Sequence, residues 1–400
     1  MTAGTTRKHR IVVLGAGYAG ASAAGRLAKR LHRDDVEITL VDTEEDFVER
    51  VRNHQLAVGQ ELRHRPFGAM FKGSGVRLKS AKVTAVEVDR RSVRVEGAEG
   101  EEELGYDTLL YALGSRWNDH GVQGAPEHAH EISSRAGALR LRSRLESLAP
   151  GRKVLVVGGG LTGIEAVTEI AESRPDLDVA LAARGGLGDW LSQKGAAHVR
   201  KVFGRLGITV HEHTTVTAVE AEQVKTAGGK AIATDVTVWT AGFATHPIAE
   251  AGGLRVTDSG QIVVDGMMRS VSHPEVYVGG DAGCATGDTG KPLRMSCATG
   301  TPMAWQAVDA ITAKLTGLKQ PKVPLRYFNQ CVSLGRKDGL IQFVTADDTS
   351  KEQVLTGRTA AYYKELVCKA AAWAVANPGA TVLSRGRRTI DRPTAEVTAA

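Results

Sequence analysis

The chain has 400 residues, of which 42% are hydrophobic and 24% charged, a composition that indicates a globular protein of two or three domains. No apolar run approaches the roughly 18 residues that span a bilayer, and the start, MTAGTTRKHR, lacks the apolar segment of a secretion signal, so we expect a cytoplasmic location. The net charge of +6 suits an anionic ligand or a membrane surface, but no basic block is interleaved with aromatic residues, which argues against nucleic acid. The four cysteines have no CxxC spacing, so we expect neither a metal site nor a disulfide framework.

A strand, a glycine turn and a helix are predicted at residues 10–30. The apolar run IVVL leads into Gly15-Ala-Gly17-Tyr-Ala-Gly20, and small residues follow at helical spacing. In such a turn the first glycine permits a tight bend, the second lets a pyrophosphate approach the backbone, and the third lets the helix pack on the strand. The next predicted strand ends at Asp42, 22 positions after Gly20, where an acid that holds a ribose is expected.

The same pattern returns in the second half of the chain. The run VLVV leads into Gly158-Gly-Gly160-Leu-Thr-Gly163, and a helix bearing Glu165 follows. The next apolar run ends at Arg184, 21 positions after Gly163, so an arginine stands where the first copy has an acid. Two complete phosphate-binding turns predict a flavoprotein that also takes a nicotinamide nucleotide, and the alternative is a degenerate second copy that binds nothing.

Three further apolar runs close on glycine. They lie at residues 106–115, 236–242 and 276–281, and the last reads VYVGGD. This pattern is expected of buried parallel strands whose backbone approaches a ligand at one end.

With these motifs in order, residues 8–315 resemble the flavoproteins with two dinucleotide sites that include the pyridine nucleotide-disulfide oxidoreductases. Within that superfamily the chain is most similar to type II NADH dehydrogenases and apoptosis-inducing-factor-like NAD(P)H oxidoreductases. The resemblance implies an α/β fold with two doubly wound, Rossmann-like domains. The FAD domain would comprise residues 1–115 and 243–315, the inserted NAD(P)H domain residues 116–242, and an α+β C-terminal interface region residues 316–400.

The resemblance also assigns roles to residues. The first glycine turn would bind the FAD pyrophosphate, and Asp42 would bind the adenosine ribose. Val83 would contact adenine through its backbone. Asp281 would bind the ribityl chain or the flavin-side phosphate. The second turn and Glu165 would serve the nicotinamide nucleotide. The cofactor-binding set predicted from the motifs and the resemblance together is Gly15, Gly17, Tyr18, Ala19, Gly20, Asp42, Arg50, Val83, Ala112, Gly114, Gly158, Gly160, Gly163, Glu165, Arg184, Gly242, Asp281, Ala298 and Thr299.

The chain departs from the family's patterns at several points. It has Ala112-Leu-Gly114 where Ala-Thr-Gly is usual, and residues 43–59 lack the cysteine pair of disulfide reductases, so electrons would pass directly from flavin to an acceptor. A helix is predicted from about residue 297 to 315, with Ala298 and Thr299 nearest the flavin. Type II NADH dehydrogenases often have Ala-Gln near this helix start, beside the quinone, and Cys297-Ala298 stands there instead, which weakens a quinone as the acceptor. Cys297 is either a reactive thiol or, as buried cysteines usually are, a small apolar residue.

Two other segments leave alternatives open. Arg50, Arg52, His54 and Gln55 either contact the flavin or an acceptor, or form a solvated helix face. In the last part, RYFNQCVSLGRKDGLIQFV predicts a hairpin and YYKELVCKAAAWAVANPG an amphipathic helix. Trp373 and the basic run SRGRR suit a membrane surface, but the thin hydrophobic face favours packing against the FAD domain or a dimer mate.

The predicted reaction is hydride transfer from NAD(P)H to FAD, followed by release of electrons to a quinone-like acceptor, and no side chain is assigned as catalytic. Two alternatives remain: reduction of a small redox protein or a specialised metabolite, and a binding protein that responds to flavin redox state. Because an arginine fork pairs with phosphate, Arg184 predicts NADPH over NADH.

Overall fold

The structure, a computed structural model, describes residues 7–320, 324–378 and 386–391. The strands in these ranges are β1 (His9–Leu14), β2 (Val36–Asp42), β3 (Val76–Ser80), β4 (Lys82–Glu87), β5 (Ser92–Gly97), β6 (Gly100–Gly105), β7 (Thr108–Tyr111), β8 (Ser115–Trp117), β9 (Ala129–Glu131), β10 (Lys153–Val157), β11 (Asp178–Ala182), β12 (Thr209–His211), β13 (Val216–Val219), β14 (Gln223–Thr226), β15 (Ala231–Ala233), β16 (Val236–Trp239), β17 (Phe243–Thr245), β18 (Ile262–Val263), β19 (Val276–Val278), β20 (Gly283–Cys284), β21 (Asn329–Ser333), β22 (Gly339–Val344) and β23 (Ser350–Thr356). The α-helices are α1 (Tyr18–Arg30), α2 (Asn53–Leu56), α3 (Phe67–Met70), α4 (Ala125–His128), α5 (Arg135–Glu146), α6 (Leu161–Ser173), α7 (Gln193–Arg205), α8 (Ile248–Ala251), α9 (Cys297–Thr316) and α10 (Gly357–Ala376).

Two parallel sheets form the centres of the two parts of the chain that are predicted to bind nucleotides. The first has the strand order β19-β7-β1-β2-β3 and the second has the order β12-β11-β10-β16-β9. Every pairing within both sheets is parallel. The apolar runs that end in glycine are β7, β16 and β19, and all three lie in these sheets. The predicted α/β class with Rossmann-type sheets is confirmed.

Each parallel sheet is accompanied by a smaller antiparallel sheet. Strands β4, β5 and β6 accompany the first, and β13, β14 and β15 accompany the second. The chain leaves the first part through β8 and returns through β17, and these two strands pair with each other. The predicted domain boundaries, residues 115 and 243, are the first residues of β8 and β17.

The C-terminal part lies across both nucleotide-binding parts. Strands β21, β22 and β23 form an antiparallel sheet, and α10 packs on that sheet and on α1. The backbones approach closely, since a Cβ on Gly339 would lie 2.8 Å from the Ala361 nitrogen. On the other side, the Gln342 amide oxygen accepts hydrogen bonds from the Ser192 backbone and hydroxyl at the start of α7. The predicted hairpin and helix are therefore present.

The basic run SRGRR, residues 384–388, falls partly outside the described residues, since only its residues 386–388 are described. Within them, Arg387 donates a hydrogen bond to the Ala28 carbonyl of α1 at 2.8 Å. This part of the chain is therefore attached to the first nucleotide-binding part. Among the described helices, none is both long enough and apolar enough to cross a bilayer.

Candidate active site

The first glycine turn lies between β1 and α1 and is shaped by close backbone contacts. Gly15 has φ +87°, and a Cβ there would lie 2.4 Å from the Ala112 carbonyl oxygen. A Cβ on Gly20 would lie 1.8 Å from the Gly15 oxygen, whereas one on Gly17 would meet nothing within 4 Å. Gly15 and Gly20 therefore close the turn, and Gly17 presents bare backbone to open space at the helix N-terminus. This arrangement fits a pyrophosphate.

The second turn, between β10 and α6, repeats this geometry. Gly158 has φ +125°, and a Cβ on Gly163 would lie 1.8 Å from its oxygen. A Cβ on Gly160, like one on Gly17, would meet nothing within 4 Å. The second copy has therefore kept the open backbone that phosphate needs, which argues against a degenerate turn.

The strand ends differ as the sequence predicts. Asp42 ends β2, and its carboxylate accepts hydrogen bonds from the backbone of Ala16 at 2.5 Å and of Glu44 at 2.9 Å. This acid therefore holds the first glycine turn in place while remaining half-exposed beside it.

Arg184 lies just beyond β11 and is exposed. It lines a pocket of about 330 Å³ together with Gly160 of the second turn and Asp189. An arginine and an aspartate thus flank the same space, and a phosphate placed there would be attracted by one and repelled by the other.

A network of hydrogen bonds connects the turn after β19 to the start of β8. Gly279 and Gly280 of the VGGD turn lie between α1 and α9, where a Cβ on Gly280 would be 3.2 Å from the Ala19 side chain. The Asp281 carboxylate accepts a 2.7 Å hydrogen bond from the Ser115 hydroxyl. Arg50 donates to the Ser115 carbonyl at 2.8 Å, and burial lowers the pKa of Arg50 although Asp281 opposes the shift. Arg50 and Asp281 therefore belong to one network beside the turn.

The N-terminus of α9 carries the residues predicted to lie nearest the flavin. Ala298 is exposed, and Thr299 is buried, with its hydroxyl donating to the carbonyl oxygens of Arg294 and Ser296 at 3.1 Å. Cys297 is exposed as a residue, but desolvation of its thiol by the surrounding protein raises the pKa of that thiol despite the nearby Lys364 ammonium. A raised pKa leaves the thiol protonated at neutral pH, which argues against a reactive thiolate.

The other predicted residues lie in α1, against the first turn, in the antiparallel sheet and beside the strands β8 and β17. The Tyr18 hydroxyl is buried without a hydrogen-bond partner among the described residues, and Tyr18 packs edge-on against Phe47 at 4.9 Å. An unpartnered buried hydroxyl beside the first turn fits a bound polar group such as the flavin. Ala112 is buried under Gly15, and Val83 pairs with Val95 in the antiparallel sheet. Gly114 and Gly242 flank the strands β8 and β17. The roles of these residues in binding cofactors stay predictions.

Glu165 lies in a buried cluster that joins three parts of the chain. Its carboxylate is 3.0 Å from the Lys364 ammonium of α10 and accepts a 2.9 Å hydrogen bond from the Ser333 backbone. The Ser333 hydroxyl is 3.3 Å from the same carboxylate and 3.2 Å from His54 Nε2. An acid, a cation, a hydroxyl and an imidazole therefore meet in one network.

Burial sets the charge states in this cluster. Burial lowers the pKa of His54 to about 4 although Glu165 opposes the shift, so this imidazole is neutral at pH 7. Burial also acts to lower the pKa of Lys364, but the Glu165 carboxylate outweighs it and holds that pKa above the ordinary value. Lys364 is therefore a permanent cation. His54 and Gln55 are 4% and 2% exposed, so the alternative of a solvated helix face is wrong for them.

A surface pocket of about 280 Å³ leads to this cluster. Lys364 and Ser333 line it, with Arg336, Arg358 and Tyr362 nearer the surface. A small molecule in this pocket would reach the groups that contact Glu165 without entering the pocket beside Arg184. The described residues bring together no group of three or more His, Cys, Asp or Glu side chains arranged for a metal ion.

Sequence reasoning missed Lys364 and Ser333. Ser333 is 168 positions from Glu165, and its segment looks like an ordinary hairpin strand. The sequence offers no clear signal for Lys364, because α10 also carries Arg358, Glu365 and Lys369, and no local pattern shows which of the four charged side chains is buried.

Comparison with known proteins agrees with these features. The model of the pyridine nucleotide-disulphide oxidoreductase family matches residues 9–308. The demethylphylloquinone reductase NdbB of Synechocystis sp. is 27% identical over 361 residues, which cover 84% of this chain and 87% of that protein. The type II NADH:quinone oxidoreductase of Staphylococcus epidermidis is 25% identical over 393 residues, which cover 90% of this chain and 94% of that protein.

The solved structure of NDH2 from Plasmodium falciparum in complex with NADH has a TM-score of 0.76 with this chain at 14% identity. The match covers 96% of this chain and 99% of that one, so the two share a fold over nearly their whole lengths. The resemblance predicted from the motifs is confirmed.

Proposed function

The chain belongs to the pyridine nucleotide-disulphide oxidoreductase family, and we propose that it passes electrons from NAD(P)H to a quinone. It is an FAD-dependent NAD(P)H dehydrogenase, with two glycine turns that fit the two dinucleotides. FAD, when bound, supplies the ring that accepts a hydride and passes on both electrons. The names of the two related reductases support a quinone as the acceptor of this chain.

The observation that carries the proposal is the pocket that ends at Lys364 and Ser333. A quinone that receives two electrons develops negative charge on its oxygen and then takes up protons. The Lys364 ammonium stabilises such a charge at the pocket floor, because it is fixed there by Glu165 at 3.0 Å. The Ser333 hydroxyl, 3.3 Å from Glu165, connects the pocket to a group that exchanges protons. Although the Ala-Gln pair is missing, the proposed acceptor site therefore contains polar groups.

For the electron donor, we propose NADPH over NADH. Arg184 lies beyond β11 in the same pocket as the second glycine turn, where its guanidinium would pair with a ribose 2′-phosphate. Asp189 lines the same pocket and would limit the preference. Both acidic and basic groups are thus in reach of the ribose.

For location, we propose that the protein rests on a membrane surface through α10. This helix buries one face on β22 and α1 but leaves an apolar stripe exposed, in which Tyr362, Leu366 and Trp373 have exposed fractions of 73%, 53% and 53%. The Tyr363 hydroxyl accepts a hydrogen bond from Asn329, next to the exposed Phe328, so the stripe continues onto the C-terminal sheet. Apolar side chains with Arg358 and Lys369 nearby suit an anionic lipid surface.

The test is turnover of the purified FAD-loaded protein with NADPH and a panel of acceptors. The panel contains a soluble menaquinone analogue, a ubiquinone analogue, a ferredoxin and dioxygen. We expect at least one quinone to be reduced about tenfold or more faster than the ferredoxin or dioxygen, a rate ratio equivalent to about 1.4 kcal/mol. Rapid reduction of the ferredoxin with no quinone turnover would contradict the proposal and support a small redox protein as the acceptor.

A further inference from the structure

A second buried carboxylate lies one helical turn from Glu165 and has no role in the site described so far. Glu169 is 1% exposed, and residues four apart on a helix lie on the same face. One of its oxygens accepts a hydrogen bond from the Gln60 amide. The other, Oε2, is buried without a hydrogen-bond partner among the described residues. A buried carboxylate oxygen without a partner is costly when ionised, and the cost falls when the group carries a proton.

The charges around Glu169 favour a proton on it. Burial raises the pKa of Glu169 to about 7, with Arg336 and Gln60 opposing the shift and Glu172 and Glu165 adding to it. Farther along the same face, Lys364 and neutral His54 contact Glu165 rather than Glu169. Glu169 therefore titrates where protons are readily gained and lost at neutral pH.

The carboxylates of α6 form a row from the surface to the acceptor pocket. Glu172, half-exposed, accepts a hydrogen bond from the Arg336 backbone, and Gln60 is also half-exposed. Next along the helix come Glu169 and Glu165, and Glu165 reaches Ser333 at the pocket. Three acids at positions i, i+4 and i+7 thus lie on one face of α6, from half-exposed to fully buried.

Reduction of a quinone needs a supply of protons. The acceptor gains two electrons and two protons, the hydride from NAD(P)H accounts for both electrons and one proton, and the second proton comes from water. Neutral His54, with a pKa of about 4, has no proton to spare at pH 7, and Lys364 is held as a cation. The buried thiols of Cys331 and Cys368, whose pKa burial raises to about 11, hold their protons at pH 7, whereas Glu169 can release and regain one.

We propose that Glu169 is the proton carrier that resupplies Glu165 during reduction of the acceptor, an inference that rests on the proposed quinone reductase function. The O–H bond of Glu169 breaks as its proton passes to Glu165. The proton then moves through the Ser333 hydroxyl to the quinone oxygen, and Glu169 regains a proton from water beside Glu172 and Gln60. Glu169 does not line the pocket. It acts on the acceptor only through Glu165, to which it supplies protons.

The test compares Glu169→Gln, Glu169→Asp and a control, Glu146→Gln, in the FAD-loaded protein. Glu146 is an exposed helix carboxylate that pairs with Arg142. Each protein is first reduced anaerobically with NADPH and then mixed with a soluble quinone, and the rate of flavin reoxidation is followed. The mixing is repeated from about pH 5 to about pH 9, which spans about two units either side of the Glu169 pKa.

In the native protein we expect the reoxidation rate to fall as the pH rises through about 7, because Glu169 then loses its proton. Glu169→Gln should reoxidise about tenfold or more slowly at pH 6 and lose this pH dependence, with an unchanged rate of reduction by NADPH. Glu169→Asp should keep a pH-dependent rate, and Glu146→Gln should match the native protein.

The two proposals fail differently. If the native protein is reoxidised by quinone and Glu169→Gln shows the same rate and pH profile, the role of Glu169 is refuted while the quinone function stands. If the native protein is not reoxidised by any quinone, the proposed function is refuted and the proton path fails with it. If Glu169 had only a structural role, Glu169→Gln would also be reduced more slowly by NADPH, and the pH profile of its reoxidation would match that of the native protein.

Discussion

At the scale of single residues, the glycines of the two turns divide into those that shape the turn and those that leave open space where a nucleotide is predicted to bind. Gly15 and Gly20 make contacts that a side chain would disrupt, whereas Gly17 and Gly160 face open space. A methyl group at either open position would occupy the place of a pyrophosphate without disturbing the protein's own packing.

We therefore predict that Gly17→Ala folds but is purified without FAD. Its matched control, Gly160→Ala, should keep FAD and lose reduction by NADPH. Gly20→Ala should be strongly destabilised, because its Cβ would lie 1.8 Å from the Gly15 oxygen. The measurements are flavin absorbance per protein and thermal unfolding. A Gly17→Ala protein with a full complement of FAD would show that this turn does not bind the cofactor.

Arg184 and Asp189 give a second prediction at this scale. Arg184→Glu should reverse the preference for NADPH over NADH, with kcat/KM for NADPH falling about tenfold or more, equivalent to about 1.4 kcal/mol. Asp189→Asn should raise the preference for NADPH, because it removes the like charge from the pocket. The ratio of kcat/KM values for the two nucleotides measures both effects. A native protein that uses NADH at least as well as NADPH would contradict the role assigned to Arg184.

At the scale of elements, α10 has two faces with different tasks. Its buried face holds Lys364 at the acceptor pocket, while its exposed face carries the apolar stripe of Tyr362, Leu366 and Trp373. If the stripe rests on lipid, the pocket opens close to the membrane, where lipid-soluble quinones are found.

We predict that replacing Leu366 and Trp373 together by serine abolishes binding to vesicles of anionic phospholipid and leaves turnover with a soluble quinone unchanged. Replacing Met267 and Val271 by serine is the matched control, since these residues are 46% and 48% exposed on another part of the surface. Co-sedimentation with vesicles measures binding. Sedimentation velocity without lipid shows whether the stripe instead joins two copies, in which case the native protein would be a dimer and the double variant a monomer.

The elements also show what sequence can predict. The glycine turns, the strands that end in them and α9 follow from local patterns, because each signal lies within some twenty residues of sequence. The exposed stripe on α10 is harder to predict, since alanines dilute its apolar character and the helix face that packs cannot be read without knowing its neighbour. The burial of His54 and Gln55 depends in the same way on contacts with α6 and the C-terminal strands.

At the scale of the whole molecule, the C-terminal part completes a site that the two nucleotide-binding parts do not contain alone. Glu165 comes from the second part, His54 from the first, and Ser333 and Lys364 from the C-terminal part. Such a convergence of distant segments leaves no local trace, which is why the sequence predicted the cofactors but left Lys364 and Ser333 unnoticed. The proposed acceptor site is thus assembled by tertiary structure.

The proposed role of Lys364 can be examined by anaerobic double mixing, in which the FAD-loaded protein is reduced by NADPH and then mixed with a soluble quinone. The native protein should bleach and then recover its flavin absorbance, while Lys364→Met should bleach at the native rate but recover on the order of a hundredfold more slowly. Lys369→Met, an exposed lysine on the same helix, should behave as the native protein does. Equal recovery rates in the native and Lys364→Met proteins would contradict the claim that electrons leave through the pocket at Lys364.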